Sequence, residues 1–195
     1  AQKLAKEQGK IYVSPYNDPQ IIAGQGTLAI ELLDQLPRLD VVYVSIGGGG
    51  LISGIGCVLK AFSPRTRVVG VSAKNSAELA ASIRAGKMVK VDHFETLADG
   101  CAGGVDNDTI TLGLGSEVID DLIDCSEGQI EVGLQQIAWN EKMLVEGSAG
   151  LAYAAWQEDA SNNKNKISAV VLCGANFDKE TSVSYTHLRA HETGY

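Results

Sequence analysis

Four consecutive glycines, Gly47 to Gly50, are the residues of this sequence that most directly predict chemistry. Because they lack Cβ atoms, the backbone of such a run can bend until several amide N–H groups point at one spot. A helix that begins at the run adds the positive end of its dipole to the same spot. The run therefore predicts an anion-binding loop suited to a phosphate group, with a flexible linker as the alternative interpretation.

The spacing of this loop differs from that of the common nucleotide-binding loops. No lysine followed by Ser or Thr closes it, as the loop of an NTPase requires. No acidic residue follows the next predicted strand, at 67–71, where a dinucleotide-binding protein would contact a ribose. These differences argue against a nucleotide-binding module and leave open which phosphate-bearing ligand binds.

Alternating strands and helices must position the loop. The β-branched run at 41–46 precedes the glycines and is typical of a strand buried on both faces of a parallel sheet. Small residues at 51–59 follow it as a predicted helix. In α/β proteins, ligands bind at the carboxyl ends of parallel strands, and the loop lies at such an end. The pattern predicts a doubly wound α/β fold with a mostly parallel sheet.

The remaining elements are predicted from apolar periodicity and from capping residues. Further strands are expected at 10–13, 67–71 and 167–172, and further helices at 19–36, 76–85, 111–123, 127–140 and 144–156. Asp18 is expected to cap the first of these helices, with Pro19 as its first residue. The Gly- and Asp-rich stretch at 99–108 is predicted to be a loop.

Composition and charge exclude several classes of protein. The chain has 195 residues, of which 45% are hydrophobic and 21% charged, as in a soluble globular protein. Its net charge of −8 argues against a nucleic-acid partner, and it has no apolar run of membrane-spanning length. The four cysteines are far apart, which predicts neither a zinc site nor a disulfide framework and favours a reducing, cytoplasmic compartment.

The last residues differ in character from the rest of the chain. After Thr181 the sequence has no apolar periodicity, and it resembles translated adapter sequence. Residues 182–195 are therefore predicted to be a non-native or disordered tail. A metal site made of His187, His191 and Glu192 is the alternative, which no ligand cluster elsewhere in the sequence supports.

Five motifs, in order along the chain, resemble those of one enzyme family. They are DPQIIAGQGT at 18–27, SIGGGGLISG at 45–54, TLADG at 96–100, VEGSAG at 145–150 and LCGAN at 172–176. Together they resemble the fold-type II pyridoxal-phosphate (PLP) enzymes, in the branch of serine/threonine dehydratases and serine racemases. The resemblance covers residues 1–181 and implies the PLP-binding large domain of the tryptophan synthase β-like fold, with its N-terminal part missing.

The resemblance implies which residues bind the cofactor. The backbone N–H groups that would hold the PLP phosphate are those of Gly47, Gly48, Gly49, Gly50 and Leu51. Cys173 lies where the family places a Ser or Cys against the pyridine nitrogen. A neutral partner there favours elimination over transamination. From residue type alone, Cys173 could equally be a small buried residue at the end of a strand.

Asp99, Gly100 and Glu146 are implied as supporting residues of the catalytic site. Gly100 would present its backbone beside the substrate, Asp99 would order that loop, and Glu146 would lie near the cofactor ring. From residue type alone, Asp99 could be an ordinary turn residue, and Glu146 a carboxylate stabilised at a helix start.

The resemblance does not extend to a divalent metal site. Some relatives bind a divalent ion through a Glu, a backbone carbonyl and an Asp, and the corresponding positions here are Ser72, Ser76 and Glu78. Because the leading carboxylate is absent, we predict no divalent metal site. A monovalent cation held by carbonyl groups stays open.

The sequence lacks the lysine that the family uses to bind its cofactor covalently. No S-x-K-x-R-G segment is present, so the chain is predicted to be a C-terminal fragment without the Schiff-base lysine. The resemblance implies a parent ammonia-lyase that converts threonine or serine to a 2-oxo acid and ammonia, as a homodimer or higher homo-oligomer. Serine or threonine racemisation and a dehydratase of hydroxyectoine breakdown are alternatives on the same site. A non-catalytic PLP- or phosphate-binding fragment is the alternative of another class.

Overall fold

The strands form one parallel sheet. The computed structural model describes residues 1–179, in which strands β1 (Val41–Ser45), β2 (Arg67–Ala73), β3 (Asp121–Cys125) and β4 (Ser168–Val170) lie in the order β3-β2-β1-β4. Every neighbouring pair is parallel. The carboxyl ends of all four strands therefore lie on one edge of the sheet, and the segments that follow them meet there.

Helices cover both faces of the sheet. The helices are α1 (Gln2–Glu7), α2 (Pro19–Gln35), α3 (Gly50–Phe62), α4 (Glu78–Ala85), α5 (Ile110–Val118), α6 (Glu127–Gln136) and α7 (Gly147–Glu158), of which α1 buries none of its residues. Residues of α2, α3 and α4 pack against one face, whose side chains include Val42 and Val44. Residues of α6 and α7 pack against the other face, whose side chains include Val41 and Tyr43. This arrangement confirms the predicted doubly wound α/β fold.

Helices α2 and α3 meet at glycines, close to the glycine loop. Asp18 caps α2 as predicted, because its Oδ1 accepts hydrogen bonds from the N–H groups of Gln20 at 2.8 Å and Ile21 at 3.2 Å. A Cβ at Gly54 of α3 would lie 2.2 Å from the carbonyl oxygen of Ile22 in α2. The two backbones are therefore in direct contact, which fixes α3 and its N-terminal loop against α2.

We expect Gly54→Ala to lower the free energy of unfolding by about 1–3 kcal/mol, because a methyl group there must push two helix backbones apart. Urea denaturation measures the change. The matched control is Gly24→Ala in α2, where a Cβ would meet nothing within 4 Å and helix propensity would improve. Equal stabilities of the two variants would contradict the close contact between the helices.

Three predicted elements are wrong, in whole or in part. Residues 10–13 form no strand, and Ile11 is 92% exposed. The helix predicted at 111–123 ends at Val118, and β3 follows it from Asp121. The helix predicted at 127–140 changes at Ile137 into one π-helical turn, Ile137–Glu141. β3 escaped prediction because it is an edge strand with charged residues and no apolar run.

Two further findings bear on the predicted organisation of the chain. Among residues 1–179, none of the helices has the length and apolar character needed to cross a membrane. The predicted tail at 182–195 lies outside the described residues, as do the candidate metal ligands His187, His191 and Glu192. The assignment of residues 1–181 to one large domain stays a prediction.

Candidate functional site

The glycine loop connects β1 to α3 at the carboxyl edge of the sheet. Gly49 has a φ of +85°, a left-handed conformation that favours glycine, and Gly50 is the first residue of α3. A Cβ at Gly48 would lie 2.3 Å from the Tyr16 ring. The hydroxyl of Thr111 donates a hydrogen bond to the carbonyl oxygen of Gly48 at 2.7 Å and fixes the loop from α5. The loop therefore has a defined shape, which argues against the flexible linker.

The N–H groups of this loop have no hydrogen-bond acceptor among residues 1–179. The N–H of Ile46 donates to the carbonyl oxygen of Val71 at 2.7 Å, and the N–H of Ser53 donates to that of Gly49 at 3.0 Å. Between them, no oxygen of residues 1–179 accepts a hydrogen bond from the N–H groups at 47–52. Consecutive free donors at a helix N-terminus form the arrangement that binds a phosphate group. The loop therefore fits the phosphate of a cofactor.

Tyr16 forms one wall of the loop. Its ring lies against Gly48, its backbone lies against Gly50, and its hydroxyl accepts a hydrogen bond from the N–H of Asp106 at 3.0 Å. Burial raises the pKa of the Tyr16 phenol, which therefore stays protonated at neutral pH. Tyr16 thus links the glycine loop to the segment that carries Asp106.

The turn Asp99–Cys101 also borders the loop. Oδ1 of Asp99 accepts a hydrogen bond from the N–H of Gly100 at 2.8 Å, so Asp99 orders the turn in which Gly100 lies. A Cβ at Gly47 would lie 3.0 Å from the Cα of Cys101. The turn and the glycine loop are therefore direct neighbours.

Glu146, which precedes α7, lies between this turn and the segment after β4. Its N–H donates to the carbonyl oxygen of Gly174 at 3.0 Å, and its Oε2 accepts a hydrogen bond from the N–H of Asn176 at 2.9 Å. A Cβ at Gly174 would lie 2.5 Å from the Glu146 carboxylate, and one at Gly100 would lie 3.1 Å from its Oε1. Glu146 therefore lies against both glycines, and a side chain at either position would require Glu146 or Ser148 to move.

Cys173 reaches the same edge through the β1–β4 ladder. Tyr43 pairs with Val170, and the N–H of Val171 donates to the carbonyl oxygen of Tyr43 at 3.0 Å. Because the strands are parallel, Cys173 lies beside the start of the glycine loop. Burial raises the pKa of the Cys173 thiol to about 12, so at neutral pH it is an uncharged S–H group.

The structure thus brings every predicted site residue to one edge of the sheet, although their roles stay predictions. Sequence reasoning missed other residues that shape this edge, among them Tyr16, Thr111 and Ser148. The hydroxyl of Ser45 donates to the carbonyl oxygen of Ser148 at 2.6 Å and joins β1 to the start of α7. Nothing in the sequence spacing indicates these contacts, because each joins residues far apart in the chain.

Ser72, Ser76 and Glu78, the positions compared with a divalent metal site, are buried, and two of them are hydrogen-bonded to other side chains. Ser72 is buried in β2, whereas Ser76 and Glu78 bind His93 and neighbouring groups. Within residues 1–179, no group of three or more His, Cys, Asp or Glu side chains is placed to hold a metal ion.

Comparison with known proteins agrees with this geometry. A family model described as pyridoxal-phosphate dependent enzyme matches residues 1–174. The chain is 34% identical to L-threonine ammonia-lyase of Thermotoga maritima over 178 residues, which cover 91% of this chain and 44% of that protein. It is also 34% identical to the catabolic L-threonine dehydratase of Escherichia coli K12, with 90% of this chain and 54% of that protein covered.

Solved structures show the same fold. Processed threonine deaminase isoform 2 from Solanum lycopersicum superposes with a TM-score of 0.88 at 28% identity, covering 96% of this chain and 55% of that one. Maize serine racemase superposes with a TM-score of 0.84 at 29% identity, covering 98% and 60%. The chain spans about half the length of the curated relatives that it matches.

Proposed function

Because the chain belongs to the family of pyridoxal-phosphate-dependent enzymes, we propose that it forms the cofactor-binding part of an ammonia-lyase acting on threonine or serine. The products would be a 2-oxo acid and ammonia. The names of the similar relatives, threonine ammonia-lyase and threonine dehydratase, support this substrate class. A homo-oligomeric parent enzyme belongs to the same proposal.

The observation that carries the proposal is the row of N–H groups at 47–52, at the start of α3, from which no oxygen of residues 1–179 accepts a hydrogen bond. We assign the phosphate of the cofactor to Gly47, Gly48, Gly49, Gly50 and Leu51. When bound, PLP supplies the electron-withdrawing ring that elimination of water from a hydroxy amino acid requires. The N–H groups of the glycine loop would donate hydrogen bonds to this phosphate. They would take no part in proton transfer.

The remaining residues would orient the ligands at this edge. Cys173 would offer an uncharged S–H to the ring nitrogen, which leaves the nitrogen without a full positive charge and favours elimination. Gly100 would lie beside the substrate because its backbone is exposed and Asp99 orders its turn. Glu146 would fix the two glycine-containing segments relative to each other.

Covalent chemistry needs a lysine in addition to these residues. None of the lysines in this sequence lies in an S-x-K-x-R-G segment. We propose that the reactive lysine, which would take the α-proton, belongs to a segment outside the printed sequence. The chain alone would then bind the cofactor without reacting with it.

Racemisation of serine is the second candidate reaction. The superposition on maize serine racemase, at a TM-score of 0.84, favours it as a neighbouring use of the same fold. Both reactions begin with loss of the α-proton, so the residues described here fit either. Product analysis of a chain that includes the lysine would separate them, because one reaction releases ammonia and the other does not.

We expect the purified chain to bind PLP reversibly, since the loop supplies the phosphate contacts and the lysine is absent. Equilibrium dialysis measures the affinity, and intact mass after borohydride reduction detects a covalent adduct. Pyridoxal, which lacks the phosphate, is the matched ligand and is expected to bind at least about tenfold more weakly.

Each outcome of this titration has a clear meaning. One stoichiometric reduced adduct would show that a lysine of this chain does react, against the proposal that the lysine lies elsewhere. Equal affinity for PLP and pyridoxal would show that the loop does not bind the phosphate group. A folded chain that binds neither would refute the proposed cofactor site.

A further inference from the structure

A buried carboxylate, Glu78, lies outside the site described above. It is the first residue of α4, and its side chain is 1% exposed. Its Oε1 accepts a hydrogen bond from Nζ of Lys90 at 2.9 Å, and its Oε2 lies 3.1 Å from Nε2 of His93. A carboxylate so far from water needs partners of this kind, since an unpaired buried charge is costly.

The same cluster holds a backbone segment made of Gly103, Gly104 and Val105. Oε1 of Glu78 accepts the N–H of Val105 at 2.9 Å, and Nζ of Lys90 donates to the carbonyl oxygen of Val105 at 3.3 Å. The hydroxyl of Ser76, 2.8 Å from Nδ1 of His93, accepts the N–H of Gly103 at 3.0 Å. One end of the segment is therefore bound to Glu78 and Lys90, and the other end is bound to Ser76, which contacts His93.

This segment needs external contacts to be ordered. Gly103 has a φ of +113°, and two adjacent glycines have more backbone freedom than any other pair of residues. A Cβ at Gly103 would meet nothing within 4 Å, so packing does not restrain it. The hydrogen bond to Ser76 restrains the Gly103 end of the segment. At the other end, the buried side chain of Val105 and the hydrogen bonds of its backbone to Glu78 and Lys90 hold the chain.

The segment lies between the two walls of the candidate cofactor site. It follows the turn Asp99–Cys101, which lies against Gly47, and it precedes Asp106, whose N–H donates to the Tyr16 hydroxyl. Tyr16 in turn lies on Gly48. A shift at Val105 is therefore transmitted within one residue to the Tyr16 wall of the glycine loop.

We propose that Glu78, Lys90 and His93 are positioning residues that order residues 99–106 and thereby hold both walls of the glycine loop, the turn Asp99–Cys101 and Tyr16, in place for the phosphate. The second part of this inference rests on the proposed function, whereas the first part does not. Burial raises the pKa of Glu78, but the Val105 N–H, Lys90 and His93 outweigh it, and the net pKa lies below its usual range. The carboxylate is therefore charged when the cluster forms.

The test is Lys90→Met, with Lys87→Met as the matched control. The Lys90 side chain is 63% exposed, so its removal leaves the core intact, and Lys87 is an exposed lysine three residues away that has no side-chain contact among the hydrogen bonds of residues 1–179. Amide hydrogen exchange by NMR reports the order of Gly103 and Val105. PLP titration of the same samples reports the glycine loop.

We expect Lys90→Met to speed exchange of the Val105 amide about tenfold and to weaken PLP binding severalfold, while Lys87→Met changes neither. Lys90→Arg should restore both values, because it returns the cation. Glu78→Gln should have a larger effect on exchange at the same two amides. If that variant does not fold, the Lys90 variants still decide the question.

Three results would overturn the inference. Equal exchange rates of the Val105 amide in Lys90→Met and Lys87→Met would show that Lys90 does not order the segment. Faster exchange spread evenly over α2 and α3 would reduce Lys90 to a general stabilising residue. A more mobile segment with unchanged PLP affinity would refute its link to the loop. If the wild-type chain fails to bind PLP, the proposed function fails. The exchange data alone then decide whether Glu78, Lys90 and His93 order residues 99–106.

Discussion

Gly48→Ala is expected to weaken PLP binding by about a hundredfold or more. A Cβ at this position would lie between 2.3 and 2.6 Å from three atoms of the Tyr16 ring, so either the ring or the loop must move. The N–H groups at 47–52 bind one phosphate only while they point at one spot, and a displaced peptide removes several donors together. Equilibrium dialysis with PLP measures the loss.

The control separates this effect from a general loss of stability. Gly113→Ala lies in α5, where a Cβ would meet nothing within 4 Å, and it should bind PLP as the wild type does. Circular dichroism should show both variants folded. Wild-type affinity in Gly48→Ala would mean that the loop is not the phosphate site.

A double variant tests the physical cause. Adding Tyr16→Ala to Gly48→Ala removes the ring that the new methyl group would meet. Part of the lost affinity should return, whereas Tyr16→Ala alone should weaken binding, because it removes one wall and the partner of the Asp106 N–H. Additive losses in the double variant would contradict a steric mechanism.

Local sequence patterns were sufficient for the elements that carry the glycine loop. The run at 41–46 is apolar on both faces, and the structure buries all five residues of β1. Asp18 followed by Pro19 marks the start of α2 through chemistry confined to four residues. Because parallel strands end at one edge, motifs placed after β1 and β4 had to meet, which is why Cys173 lies beside the glycine loop.

The contacts that complete the site could not be predicted from the sequence. Tyr16 and Gly48 are in contact because whole elements pack together, and no periodicity in the sequence indicates this contact. Glu78 has the sequence character of an ordinary first-turn acid of a helix, and only its burial reveals the cluster with Lys90. The edge strand β3 was missed because its solvated side carries Asp121, where a buried strand would carry an apolar residue.

A second network, centred on Asp159, lies at the opposite end of the sheet. Its Oδ2 accepts hydrogen bonds from the Tyr43 hydroxyl at 2.6 Å and from Nη2 of Arg67 at 2.8 Å, and its Oδ1 accepts one from Nδ2 of Asn162 at 2.6 Å. The Asp159 side chain is 5% exposed, and Tyr43 is fully buried. Asp159 thus joins the end of α7 to β1 and β2.

Asp159→Ala is expected to lower the free energy of unfolding by about 3 kcal/mol, because it leaves a buried phenol without its acceptor and a guanidinium with only the exposed Asp121. Urea denaturation at pH 7 measures the change. The control is Glu7→Ala, which removes an exposed ion pair with Lys3 and should cost less than about 0.5 kcal/mol. Similar losses in the two variants would show that burial adds nothing to the Asp159 network.

The pH dependence of stability gives the same network an independent test. Burial raises the pKa of Asp159, but hydrogen bonds from Tyr43, Asn162 and Arg67 outweigh it, so the folded-state pKa lies below its usual range. The unfolded chain therefore binds this proton more readily, and the contribution of Asp159 is complete above the unfolded pKa of about 4. It is lost as the pH falls through the folded pKa.

We expect the difference in stability between wild type and Asp159→Ala to be constant from pH 6 to 8 and to shrink below about pH 4. A difference that stays constant down to acid unfolding would mean that the carboxylate charge does not stabilise the fold and that Asp159 acts through packing alone.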